Sequence, residues 1–130
     1  MNDVADAFER AAIDAKSFHH RDHIHVAWSY LSEFEFAEAA GRFSAALRRF
    51  AAANGAPNLY HATITWAYLV AIHDRMHRDG APPDWESFAA ANEELFAWKP
   101  SLLDALYRPE TLASDHARRV FVLPDRIAAD

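Results

Sequence analysis

Apolar residues return every three to four positions through most of this 130-residue chain, the period of a helix that turns one face to a core. Val4, Ala7, Phe8, Ala11, Ala12 and Ala15 form one such stripe and predict a helix over residues 3–16. A second is predicted over residues 20–34. A third, over residues 36–54, carries Phe36, Ala40, Phe43, Leu47 and Phe50 in an almost unbroken seam, and Gly55 stands where a C-terminal cap is expected. The fourth segment, residues 58–79, is apolar nearly all round from Leu59 to Ile72, so it reads as a central helix covered on most sides. Gly80-Ala81-Pro82-Pro83 ends it. A fifth helix is predicted over residues 84–98 and broken by Pro100, after which Ser101 and Asp104 form a capping-box start for a short helix reaching Tyr107. Residues 111–119 can form one more, and Val120 to Pro124 run on as an extended apolar tail expected to pack back on the bundle. There is little alternating or β-branched pattern, no internal repeat and no linker. The expectation is an all-α, single-domain bundle over residues 1–130: about five main helices, short C-terminal helices and the tail.

Composition narrows what such a bundle does. Lys and Arg number 13 against 19 Asp and Glu, a formal charge of −6, and the cations are scattered. Neither nucleic acid nor an anionic membrane is an expected partner, since both require a basic footprint. The chain has no Cys, which excludes disulfide scaffolds, thiolate metal sites and cysteine nucleophiles together. The first six residues carry acids where a signal peptide carries bases, and no stretch reaches 18 uninterrupted apolar residues, so a cytoplasmic protein is expected. The Ala-rich third helix offers a face for a homodimer.

The chemistry lies in the histidines. Four of the eight fall in the window His19-His20-Arg21-Asp22-His23-Ile24-His25. At about 100° per residue, His20 aligns with Ile24, Ala27 and Leu31, and His23 falls between Tyr30 and Phe34; His25 points to solvent and His19 sits at the boundary. The central helix begins Tyr60-His61-Ala62-Thr63-Ile64-Thr65, so its first turns bury a phenol, an imidazole and two hydroxyls. Each costs roughly 1–3 kcal/mol unless it finds a partner. One solution is a three-His site: His20, His23 and His61 as neutral imidazole ligands of a Zn, Cu or Fe ion, with a position open to water or a small-molecule substrate. Tyr60, Thr65 and Arg118 would then orient the ligands or the substrate, and the protein would be a metal-dependent hydrolase or oxidase. The alternative is a buried hydrogen-bond network in a non-catalytic module that binds a small molecule or a protein partner. His73 and His77, four apart in the last polar turns, read as surface residues favoured by the helix macrodipole. Arg118 and Arg119 read as a solvated pair, or as a device in which one of them folds over the bundle and takes an anionic group.

Phe18-x-His20-x-x-His23-Ile24-x-x-Ala27-Trp28-x-x-Leu31, Tyr60-His61-x-Thr63-Ile64-Thr65 and Ser114-x-x-Ala117-Arg118-x-x-Phe121-x-x-Pro124-Asp125 together resemble a group of small helical bacterial proteins mostly left as hypothetical. The likeness spans residues 18–125. It implies that His20, His23, His61, Thr65 and Arg118 belong to one constellation, and it implies no reaction.

Overall fold

The computed structural model describes residues 3–10, 18–56, 59–98 and 100–126. Seven α-helices occur among them: α1 (Asp3–Glu9), α2 (His20–Glu33), α3 (Phe36–Ala53), α4 (Ala62–Met76), α5 (Trp85–Ala91), α6 (Pro109–Leu112) and α7 (Asp115–Arg119). Short 3₁₀ segments at Glu93–Leu95 and Leu102–Ala105 join the later ones. There is no strand among the described residues, and no helix is long and apolar enough to cross a membrane. The all-α expectation holds.

Turn chemistry sets the boundaries. Gly55 and Gly80 have φ of 71° and 75°, the left-handed region that a side chain disfavours, and each follows a long helix. The capping box at Ser101 forms as expected: its hydroxyl accepts from the Leu103 N–H, and the Asp104 carboxylate accepts from the Ser101 N–H at 2.8 Å. Two helices are shorter than their apolar pattern. α4 begins at Ala62, where His61 takes the N-cap, and α5 stops at Ala91, where Asn92 turns the chain into 3₁₀ geometry. Residues 11–16 of the expected first helix lie outside the described residues.

α2, α3 and α4 pack against one another, with α1 laid across α2 and α3. The Phe8 ring of α1 stacks on Phe18 and Phe43 and packs at a tilt on Phe50, at centroid distances of 5.2, 5.8 and 5.3 Å. Arg42 on α3 pairs with Glu9 at 3.1 Å and holds α1 from its solvent side. α4 is less enclosed than its composition suggests, because Val70 is half exposed while Leu69 and Ile72 are fully buried. α5 docks on α2 through Trp28 and Phe88. The His25 ring stacks on Trp85 at 4.2 Å and 7°, so it serves that same junction and does not simply face solvent.

The C-terminal tail packs back as expected, through its backbone. Val120, Phe121 and Leu123 expose much of their side chains. The Thr63 hydroxyl of α4 lies 2.7 Å from the Ala117 carbonyl and 2.9 Å from that of Val120, and it accepts from the Val122 N–H at 3.0 Å. The Tyr107 hydroxyl donates to the Val122 carbonyl at 2.6 Å. Asp125 accepts from the Arg108 N–H at 2.9 Å and from the Thr111 hydroxyl, and these donors hold its carboxyl below the usual range. Removing the Thr63 hydroxyl should therefore loosen the tail from Ala117 to Val122, which Tyr107 and Asp125 still anchor farther on. A Thr63→Val variant is expected to lose about 2–3 kcal/mol in urea unfolding and to become sensitive to trypsin around Arg118, Arg119 and Arg126, while Thr63→Ser keeps both properties.

Candidate functional site

Where the N-terminal ends of α2 and α4 meet the C-terminal end of α3, the bundle encloses a cavity of about 680 Å³, within the range of small-molecule sites. Its floor is the aromatic cluster of Phe18, Phe43 and Phe50. Ile24 and Ala27 of α2, Leu47 of α3 and Ile64 and Ile72 of α4 form the apolar walls. Trp98, half exposed, stands at the rim. Because α4 contributes from His61 to Ile72, the cavity follows that helix for about 16 Å at 1.5 Å per residue.

All six residues singled out in the sequence lie on this wall: His20, His23, His61, Tyr60, Thr65 and Arg118. They are brought together as one lining, but the three-His metal site does not form. Among the described residues, no group of three His, Asp or Glu side chains is placed to hold a metal ion. The His61 ring is already saturated. Its Nδ1 accepts from the Ile64 N–H at 3.1 Å, and its Nε2 lies 2.7 Å from the Leu112 carbonyl, an acceptor to which only an N–H can bond. Both ring nitrogens are thereby used, and the tautomer is fixed without a lone pair to offer.

His20 is committed in a similar way. Its Nε2–H donates to the Leu95 carbonyl at 2.9 Å, and the ring packs on Tyr68 at 5.0 Å and Trp98 at 4.8 Å. Tyr68 lies seven residues beyond His61, about 10 Å along the helix, so His20 and His61 occupy different levels of the cavity. The His23 ring packs on Phe18 at 4.3 Å and makes no hydrogen bond to a described residue. The assignment of His20, His23 and His61 as ligands of Zn, Cu or Fe is therefore corrected, and the metal-dependent hydrolase or oxidase built on it falls with it.

The tyrosines carry a signal that the histidines concealed. Tyr60 is 9% exposed and Tyr68 is 6% exposed, and neither hydroxyl has a hydrogen-bond partner among the described residues. Burial raises the Tyr68 pKa; the Ser101 hydroxyl is near enough to oppose that rise without making a proper hydrogen bond. The Thr65 side chain is also buried on this wall and donates to no described residue. Tyr68 and Trp98 were not distinguished in the sequence from ordinary aromatic core positions. A phenol at helical spacing gives no sign of whether its hydroxyl will find a partner.

The other candidates are structural. His73 and His77 lie 4.4 Å apart at the end of α4, where Phe36 covers one of them. Asp22 closes the first turn of α2 by accepting from the His19 N–H at 2.9 Å. Ser114 caps α7, and Arg119 pairs with Asp115 on the exposed side of that helix at 3.0 Å. Comparison of the chain with protein-family models, curated proteins and solved structures finds no match.

Desolvation pushes the His23 pKa down to about 4, with the neighbouring His20 lowering it further and Asp22 opposing. Burial also lowers His20. An imidazole in the unfolded chain takes up a proton near pH 6.5, which the folded ring accepts only near pH 4. Stability is thus fully present above pH 6.5 and lost as pH falls toward 4. Denaturant unfolding should give a protein about 2 kcal/mol less stable at pH 5 than at pH 7.5, and His23→Phe should remove most of that difference. Equal slopes for the two proteins would mean that the ring is solvated.

Proposed function

We propose that this protein is a small-molecule-binding module whose site is the cavity between α2, α3 and α4. The observation that carries the reading is the cavity itself, mostly apolar, with His23 and Thr65 on its wall beside Tyr60 and Tyr68, two tyrosines whose buried hydroxyls have no hydrogen-bond partner among the described residues. A buried hydroxyl without a partner costs about 1–3 kcal/mol. A ligand that places polar atoms against these groups, and apolar surface against Phe18, Phe43 and Phe50, offsets that cost and fills the space. The imidazoles act here as framework. His20 and His61 tie the helices to the carbonyls of Leu95 and Leu112, which rigidifies the walls before anything binds.

Two features support binding over catalysis. No carboxylate lies on the cavity wall among the described residues to partner an imidazole as a general base, and His61 has no free nitrogen. The walls are closed enough to enclose a ligand of moderate size, while the Trp98 rim leaves an entrance.

The test uses 1-octanol and 4-butylphenol as neutral probes of the cavity. At ten times its Kd, a bound probe should add about 1.4 kcal/mol of stability and raise Tm by a few degrees. Amide resonances of Ile24, Ile64 and Tyr68 should shift at the same concentrations. Thr65→Phe, which fills the space from α4, is expected to abolish the probe effect while leaving the ligand-free protein as stable or more stable by about 1 kcal/mol. A folded protein in which neither probe moves Tm or these resonances would overturn the reading.

A further inference from the structure

The hydrogen-bonding capacity that opens on the cavity is concentrated in a few side chains. The Tyr60 and Tyr68 hydroxyls are buried within the wall, and both nitrogens of His61 are spent. His23 of α2 and Thr65 of α4 line the space and make no hydrogen bond to a described residue. The His23 ring lies 4.3 Å from the Phe18 ring, and Phe18 packs in turn on Phe50 at 5.0 Å. An unspent imidazole thus stands directly beside an aromatic surface that is itself part of the cavity lining.

Burial holds the His23 pKa down at about 4, so at neutral pH the ring is uncharged and offers one N–H and one lone pair. One turn earlier, His20 gives its Nε2–H to the Leu95 carbonyl, which leaves Nδ1 as a second acceptor on the same helix. Acceptors therefore predominate on α2, and they suit a ligand that donates. Charge is poorly provided for. No Asp or Glu lines the cavity among the described residues. Asp22, beside His23 in the chain, is turned to the His19 N–H at 2.9 Å, and Arg118 is already engaged within the protein. A charged head would give up its hydration for a mostly apolar surround, whereas a neutral hydroxyl exchanges a hydrogen bond to water for one to His23. The rings of Phe18 and Phe50 favour a flat aromatic group packed against them, and a phenolic O–H is a stronger donor to an imidazole nitrogen than that of an alkanol.

Resting on the proposed binding function, we infer that the occupant is an uncharged phenol on an apolar body, its hydroxyl donating to the unspent nitrogen of His23 and its ring lying against Phe18 and Phe50. The body covers the apolar wall of Ile24, Leu47 and Ile64. Thr65, whose hydroxyl both donates and accepts, accommodates a second polar atom on that body without requiring one. No bond is made or broken.

The experiment compares probes that share a butyl body and differ in the head or the ring: 4-butylphenol, 4-butylanisole, 4-butylcyclohexanol, 4-butylbenzoate and 4-butylbenzylamine, each titrated calorimetrically into the folded protein at pH 7.5. 4-Butylphenol is expected to bind about tenfold more tightly than 4-butylanisole, which cannot donate, and more tightly than the other three. Its binding should move the ring-nitrogen resonances of His23, and 4-butylanisole should move them far less. His23→Phe should bring the phenol to within about threefold of the anisole, and His23→Gln, which restores an acceptor oxygen, should keep the preference in part. Circular dichroism and Tm identify any variant that fails to fold, and the wild-type ranking of the five probes decides the matter without the variants. Phenol and anisole bound equally, or a preference kept in full by folded His23→Phe, would overturn the assignment to His23 and leave the cavity reading standing. The cyclohexanol, the benzoate or the benzylamine bound as tightly as the phenol would overturn the ligand class. Failure of all five, in a folded protein that also ignores 1-octanol, would remove the binding function and the ligand class with it.

Discussion

A polar sequence at the buried start of a helix must be satisfied by groups from elsewhere in the chain, and the architecture depends on how that is done. Tyr60, His61, Thr63 and Thr65 are all buried where α4 begins. Backbone N–H groups in the first turn of a helix lack intrahelical partners, and the His61 ring supplies one by accepting from Ile64. The ring then needs an acceptor for its remaining N–H, which the Leu112 carbonyl at the end of α6 provides. Thr63 repeats the pattern two residues on with Ala117, Val120 and Val122. The segment from Leu112 to Val122 is thus docked by polar bonds to the start of α4, and this is why the tail can leave Val120 and Leu123 largely in solvent. Tyr60 and Thr65, on the same turn, are the groups this arrangement leaves to the cavity.

The same constraint explains what was legible beforehand. Helix existence was plain from periodicity, and Gly55, Gly80 and the Ser101–Asp104 box marked ends that the structure keeps. The gathering of His20, His23, Tyr60, His61 and Thr65 on one surface was also readable, because each lies on the inward arc of its element or on a segment polar without apparent reason, whereas Arg118 joined them only through the resemblance. What the residues do to one another was not. A helical projection gives the direction of an imidazole but neither its depth nor its partner. The partners of His20 and His61 are main-chain carbonyls at Leu95 and Leu112, where 3₁₀ and short helical turns end. Every residue carries a carbonyl, so no residue type announces one that is free. Three inward histidines therefore looked like a ligand set when two were serving as ties.

The distinction between a tie and a ligand has a physical criterion in the count of lone pairs. A neutral imidazole offers one donor and one acceptor. At His61 both are consumed, and at His20 the donor is consumed by the Leu95 carbonyl. The tyrosines stand at the opposite extreme, with amphoteric hydroxyls that are buried and unspent. Hydrogen-bonding capacity on this wall is fully spent at His61 and half spent at His20, while the His23 ring and the two phenols keep theirs.

Such an arrangement carries a cost that ordinary folding does not explain. Cavity walls forfeit dispersion contacts in proportion to the space they leave, and buried hydroxyls without partners add a desolvation penalty of their own. The phenylalanine floor around Phe8, Phe18, Phe43 and Phe50 is closely stacked, so the sequence has the means to pack densely where density is all that is required. Beside that floor it keeps Ala27 and Ala51 on the cavity wall, where larger apolar residues would close the space. Open volume next to dense aromatic packing, with two unpaired phenols on its walls, is the combination expected where the complement to the missing surface comes from outside the chain.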